Sequence, residues 1–287
     1  MSLGLNKTKR RIASVRSTQK ITKAMGMVAT VKLKRYKDAA AATASYNAGL
    51  RRIMAELFLH DEATKTHYGK ENENVEGTLY ILVTSSLGLC GAYNNNLFKF
   101  VETVIDPQKD SILPVGEKGK NHYLHDPRFE GRIVLDEGFD SSLDPKKVDA
   151  SCLRIKDAFN QQKYRRIRII FTEYVNSMTF EPRVETLLPV QLEPQPRADE
   201  EYCPPLFEPS ARQQIHDLMP YYLGSELFHK IALANLCEQA SRRNAMDAAN
   251  DNADELLAKL TIEYNKARQT AITQEIVEVV SGSANAK

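Results

Sequence analysis

Two glycine-containing turns are the places where this chain of 287 residues could do chemistry. The first, Thr84-Ser85-Ser86-Leu87-Gly88-Leu89-Cys90-Gly91-Ala92-Tyr93-Asn94, joins an apolar run to a helix-like one. Backbone N–H groups cradle phosphate in that setting. Its glycines, however, are spaced G-x-x-G and not G-x-G-x-x-G. The second, Val115-Gly116-Glu117-Lys118-Gly119-Lys120, imitates a Walker loop through Gly119-Lys120. That motif needs a glycine where Pro114 stands and a Ser or Thr where Asn121 stands. Both stretches read as tight strand-to-helix turns, so no nucleotide or other cofactor is expected. Metal and redox chemistry are no better supported. Cys90, Cys152, Cys203 and Cys237 form no C-x-x-C pair, and His122 and His125 sit in a loop-like stretch without a third ligand. No Ser/His/Asp group or carboxylate pair has motif spacing, so the chain is not expected to be an enzyme by itself.

Charge is the next signal. The net charge is only +2, yet residues 1–52 carry thirteen Lys or Arg against one acid, Asp38. The remainder is therefore acidic. Such asymmetry points to nucleic acid, an acidic membrane or an acidic protein as partner. Lys7, Lys9, Arg10, Arg11, Arg16, Lys20 and Lys23 could neutralise phosphates, but Tyr36 and Tyr46 stand alone and make no stacking series. An acidic protein surface fits equally well at this point. Nowhere is there an apolar run of membrane-spanning length or a signal-peptide core. The helical pattern begins almost at Met1, so no removable presequence is expected, and membrane contact is expected only through partners.

Three segments must position these residues. Residues 3–58 lack proline, and Ile12, Val15, Thr22, Ala29, Leu33, Tyr36 and Ala40 recur in steps of three, four and seven. This predicts a helix over 1–58 with a narrow coiled-coil seam, interrupted at Gln19 and Gly26. Ser210, with Gln213 as a capping box, opens a second long helix over 209–287. Its apolar series runs through Ile231, Ala234, Ala245, Ala248, Ala249, Leu256, Leu257 and Leu260 to Ile272 and Ile276, and Gly282 is expected to close it. At ~1.5 Å per residue the first helix is roughly 80 Å long and the second, taken from Ser225 to Val280, about 85 Å; each must lie against a partner, so the two predict an antiparallel coiled coil. Between them, residues 77–191 alternate strand-like runs (77–86, 111–116, 132–136, 165–175 and 181–191) with helical patterns at 94–104 and 144–162. That alternation predicts an inserted Rossmann-like α/β domain, followed by a Pro- and acid-rich linker.

At three places the residues resemble one family. The first is Arg11-Ile12-Ala13-Ser14-Val15, then Thr18-Gln19-Lys20-Ile21-Thr22-Lys23-Ala24-Met25 and Met27-Val28-Ala29. The second is Gly88-Leu89-Cys90-Gly91 with Asn94 and Asn96-Leu97. The third is Tyr264-Asn265-Lys266-Ala267-Arg268-Gln269, Ile272-Thr273-Gln274-Glu275 and Glu278-Val279-Val280-Ser281-Gly282. In order and spacing they resemble the gamma subunits of bacterial-type F-type ATP synthases over the whole chain. Departures are Gly26, Ser86-Leu87 and Ser241-Arg242-Arg243, where the family usually has other residues.

The resemblance implies a non-catalytic central-stalk rotor, coupling ion translocation to ATP synthesis or hydrolysis. Its partners would be the alpha and beta subunits of the F1 ring, the epsilon subunit and the c-subunit ring, with no nucleic acid. Its place would be the cytoplasmic face of the bacterial cell membrane, peripherally. Carried over by motif, Lys20, Lys23, Met25, Arg242, Arg268, Gln269, Thr273 and Glu278 would contact the alpha/beta ring. A shaft of a divergent rotary ATPase, or a coiled-coil scaffold outside any ATPase, are the alternatives.

Overall fold

Inward-facing residues at alternating three- and four-residue steps, with no proline to break the backbone, make α1 one uninterrupted helix, Ser2–Phe58. The computed structural model describes residues 2–59, 67–136, 138–176, 179–192 and 206–284. After α1 come β1 (Thr78–Val83), α2 (Tyr93–Val104), β2 (Ser111–Val115), α3 (Glu117–Tyr123), α4 (Pro145–Asn160), β3 (Arg166–Tyr174), β4 (Phe180–Leu188) and α5 (Ala211–Ala284). The linker expected after residue 191 lies almost wholly outside the described residues, as does Cys203.

The chain divides into two units, residues 1–30 with 242–287 and residues 31–241. The larger holds a four-stranded sheet in the order β2-β1-β3-β4. β1 pairs in parallel with β2 and β3, and β4 closes the sheet antiparallel to β3. All six residues of β1 are buried, as its unbroken apolar run requires of a strand covered on both faces. Leu79, Ile81 and Val83 face a core with Met54 and Leu57 of α1, Ile155 and Phe159 of α4, and Ile215 through Ile231 of α5. Tyr80 and Leu82 face the opposite core, with Leu97 and Val101 of α2 and Tyr123 of α3. Asp144 caps α4, its carboxylate accepting from the Lys146 N–H at 3.0 Å with Pro145 at the first helical position.

In the smaller unit the α1 and α5 segments run antiparallel. Gln19 Nε2 donates to Asp254 Oδ1 at 2.6 Å, and Thr22 Oγ1 donates to Asn250 Oδ1 at 2.5 Å. Gly26 packs beside Met246, where an added Cβ would lie 3.5 Å from the Met246 Cβ. Gln19 and Gly26, expected to interrupt the seam, are instead among its buried members. Each is matched by a residue on the other helix, amide to carboxylate in one case and small to large in the other.

Four further expectations are corrected. The 132–136 run is not a strand: it makes one isolated bridge, Ile112 to Ile133, before leaving the sheet edge with Leu135 exposed. His122 lies in α3, not a loop, stacked on Phe98 with ring centroids 4.0 Å apart. Ser210 does accept from the Gln213 N–H at 3.2 Å, but the Gln213 amide turns to Asp217, so only half of the capping box forms. Gly282 does not close α5, which continues to Ala284; glycine permits a left-handed terminus without imposing one.

Candidate functional site: a helix pair with exposed cations and an apolar end

The two phosphate-like turns are occupied by the chain itself. In the first, Asn94 closes the loop, with Oδ1 accepting from the Ser85 N–H at 3.1 Å and Nδ2 donating to Ser85 Oγ at 2.7 Å. Ser241 Oγ donates to the Cys90 carbonyl at 2.7 Å, and Tyr93 OH to the Ala234 carbonyl at 3.2 Å, which docks the loop on α5. At the second turn the N–H groups that a phosphate would need are taken. Gly119 N donates to Thr84 Oγ1 at 2.9 Å, and Lys118 N to the Ser85 carbonyl at 3.0 Å. Close approach of Thr84 explains both glycines: a Cβ on Gly116 would lie 2.3 Å from the Thr84 carbonyl oxygen, and one on Gly119 2.8 Å from Thr84 Oγ1.

The thiols are equally committed. Burial pushes the Cys152 thiol up to about 12, with the Asp149 charge adding to the effect. Burial pushes the Cys237 thiol up to about 12 as well, helped by Glu173. Neither has the thiolate character that reactivity or metal binding requires. Among the described residues no three His, Cys, Asp or Glu side chains group as metal ligands. No described helix is long and apolar enough to cross a membrane.

What the smaller unit offers is a surface. Lys7, Lys9, Arg10, Arg11, Arg16, Lys20 and Lys23 are positioned by α1 outside its seam or on the seam's margin, and none forms an ion pair among the described residues. Lys20 and Lys23 are exposed, Met25 is half-buried and Arg242 is buried at 5% exposure. Met25 and Arg242 belong to the level where Gly26 meets Met246. The second group of expected residues stands well along α5. Arg268, Gln269 and Thr273 are exposed, with Thr273 Oγ1 donating to the Gln269 carbonyl at 2.9 Å. Glu278 lies in α5, but its side chain is outside the described ones.

Extending the register of the Gln19–Asp254 and Thr22–Asn250 pairs places the first residues of α1 opposite α5 near residue 270. Beyond that level, among the described residues, α5 has no α1 beside it. There it bears Ile272, Ile276, Val277, Val279 and Val280, all between 47% and 72% exposed. The sequence carries its apolar series on to Ile272 and Ile276, with Val279 in the same stripe, and all three side chains lie on the open surface. Sequence reading missed Asp254 and Asn250, whose role shows only once the partner helix is in place, and the exposed Leu87 and Leu89 of the first loop.

Comparison with known proteins gives this architecture its family. The protein family described as ATP synthase matches residues 4–286. The ATP synthase gamma chain of Clostridium kluyveri is 34% identical over 98% of this chain and 97% of its own length. That of Mycoplasma mobile is 34% identical over 97% and 98%. Among solved structures, a chain of the Euglena gracilis mitochondrial ATP synthase (OSCP/F1/c-ring) superposes with a TM-score of 0.67 at 16% identity, covering 99% of this chain and 95% of that one. A chain from the central stalk and c-ring of the Tetrahymena thermophila mitochondrial ATP synthase gives 0.60 at 21% identity, over 80% and 99%. These structural likenesses show a shared fold. The chain belongs to the ATP synthase gamma-chain family, the non-catalytic central-stalk rotor of F-type ATP synthases.

Proposed function

We propose that the smaller unit is the part of this rotor that the alpha/beta ring grips, and that the chain passes torque between that ring and an ion-driven c ring. The single observation that carries this is the far end of α5, apolar and exposed beyond the start of α1. Isolated in water, exposed Ile272, Ile276 and Val279 cost solvation; inside an apolar collar they make a bearing surface with little directional preference. Arg268, Gln269, Thr273 and Glu278 supply the directional contacts beside that stripe. Lys20 and Lys23, exposed and without an ion pair among the described residues, face acidic loops of the ring. Arg242 acts from inside the chain by holding its own helix, because its burial leaves little guanidinium surface to offer a partner.

The mechanism is differential contact. A rod whose faces differ touches three chemically identical catalytic subunits differently and so biases each toward a different state. Rotation makes those biases follow in order, and nucleotide is bound and converted on the ring, not on this chain. The α/β unit meets the epsilon subunit and the c ring, which hold the complex at the cytoplasmic face of the membrane.

The test is replacement of Arg268, Thr273 and Glu278 together by alanine in the complex assembled with alpha and beta subunits. Coupling mutations shift such equilibria by ~0.5–2 kcal/mol, so ATP turnover or ion pumping should fall several-fold while helicity of the chain is unchanged. Normal turnover, pumping and complex stability would remove these residues from the grip.

A further inference from the structure

Within the larger unit, α1, α5 and the sheet meet at a group of charges that neither the seam nor the exposed end accounts for. Glu226 of α5 is 2% exposed. Its Oε1 accepts from Arg51 Nη1 at 2.9 Å and from Asn47 Nδ2 at 3.0 Å, both on α1. Its Oε2 faces Lys230 Nζ, one turn along α5, at 3.4 Å. Lys230 is itself 5% exposed, reaches Glu185 Oε2 of β4 at 2.5 Å, and lies 5.0 Å from the centre of the Phe171 ring. Asn47 also donates to Ser225 Oγ at 3.2 Å. Two acids and two bases balance, and each has a partner, so the cluster leaves no uncompensated buried charge.

Such a cluster needs a reason other than stability, because a buried ion pair is commonly no more stabilising than apolar residues of equal volume. Its distinguishing property is direction. Apolar contacts between two helices resist separation, but they are nearly indifferent to a small slide or twist of one helix against the other. Charge-assisted hydrogen bonds fix distance and angle together. Here they do so among three elements at once, in a protein whose work is to carry a twisting load. We propose that Glu226 and Lys230 are positioning residues for rotary coupling: they lock the angular register of α1, α5 and β4, so that torque applied to the sheet reaches both helices without slip. This rests on the rotor reading above and concerns a place in the chain remote from the ring-gripping residues.

The experiment uses the whole membrane complex carrying Glu226→Leu with Lys230→Met, a pair that removes both charges and keeps apolar volume. ATP hydrolysis and ATP-driven ion pumping are measured on the same preparation. The inference expects alpha and beta subunits to co-purify, ATP hydrolysis to persist, and ions pumped per ATP to fall about two-fold or more. A role confined to stability would lower the unfolding temperature and leave the ratio unchanged in intact complex, which overturns the inference. Should the double variant fail to assemble, Glu185→Leu decides, because Glu185 is the half-exposed end of the cluster and its loss leaves Lys230 paired to Glu226. A fall in the ratio supports the lock, and an unchanged ratio removes it. Failure of the unaltered chain to join the ring would instead count against the rotor reading itself.

Discussion

Gly26 and Gly116 show how differently one residue type can be used. Gly26 lies inside a helix with ordinary van der Waals room for a Cβ, whereas Gly116 has φ +106° and no room at all. Gly26→Ala should therefore stabilise the chain by ~0.5–1 kcal/mol through lost backbone freedom in the unfolded state. Gly116→Ala should destabilise it by ~1–3 kcal/mol or more, and urea unfolding of the two variants checks both signs. The buried thiols give a pH prediction. Cys152 and Cys237 keep their protons in the folded chain up to about 12, against an ordinary value of 9.0. Their raised values mean that the associated stability is intact below pH 9 and is lost as pH rises toward 12, by up to ~1.4 kcal/mol per pH unit per thiol. Cys152→Ala and Cys237→Ala should flatten that alkaline decline, and peptide mapping after alkylation at pH 8 should find both thiols unmodified until the chain is unfolded. His229 behaves in the opposite sense. Burial, aided by Lys230, lowers its value, so its contribution is present above about pH 6.5 and fades as pH falls further.

At the level of elements, the sequence was readable wherever the signal was periodic and local. The lack of proline and the three-four recurrence of apolar residues set α1, and the unbroken apolar run 78–83 set β1. Arg132-Ile133-Val134 had the composition of a strand, yet strand formation is decided by a neighbouring backbone, and only Ile112 supplies one there. Gln19 and Gly26 looked like faults in the seam because their partners, Asp254 and Met246, lie more than two hundred residues away. A polar or small residue at a seam position cannot be told from a gap until the facing helix is known. The apolar spacing of Ile272, Ile276 and Val279 is legible as a local period, whereas their exposure is not: core composition and helical spacing do not tell a buried stripe from one left open, as this one is among the described residues. The family resemblance singled out Arg268, Gln269 and Thr273; the four-residue step from Gln269 to Thr273 adds only that these two share a helix face.

For the whole molecule, the separation of charge matters more than the net value of +2. Seven exposed cations along the first turns of α1, none ion-paired among the described residues, create a field that draws acidic surfaces and is screened over ~8 Å at physiological salt. Association of the chain with the alpha/beta ring should therefore weaken as salt rises. Lys20→Glu with Lys23→Glu should lower both the affinity and its salt dependence, as read by sedimentation of the reconstituted complex. Retention of the unaltered chain on DNA at the same salt, lost in the variant while ring assembly stays normal, would reassign the partner. ATP should not bind the isolated chain at micromolar concentration, since Thr84 and Ser85 already occupy the N–H groups of the second turn. Calorimetry on the wild type and on Lys120→Ala checks this.

The contact of Gly26 with Met246 also sets a calibre. Helix axes in contact stand ~8–10 Å apart, the smaller spacing where one side contributes almost no side chain. With Gly26 and Ala29 at neighbouring seam positions, the two helices of the smaller unit can lie near the close end of that range at this level. If the ring grips the smaller unit as proposed, a thin waist leaves clearance inside a bore set by other subunits, and clearance would govern friction during each turn. A residue larger than alanine at position 26 would press on Met246 and widen the waist, and in that setting would be felt first as drag, before any loss of folding.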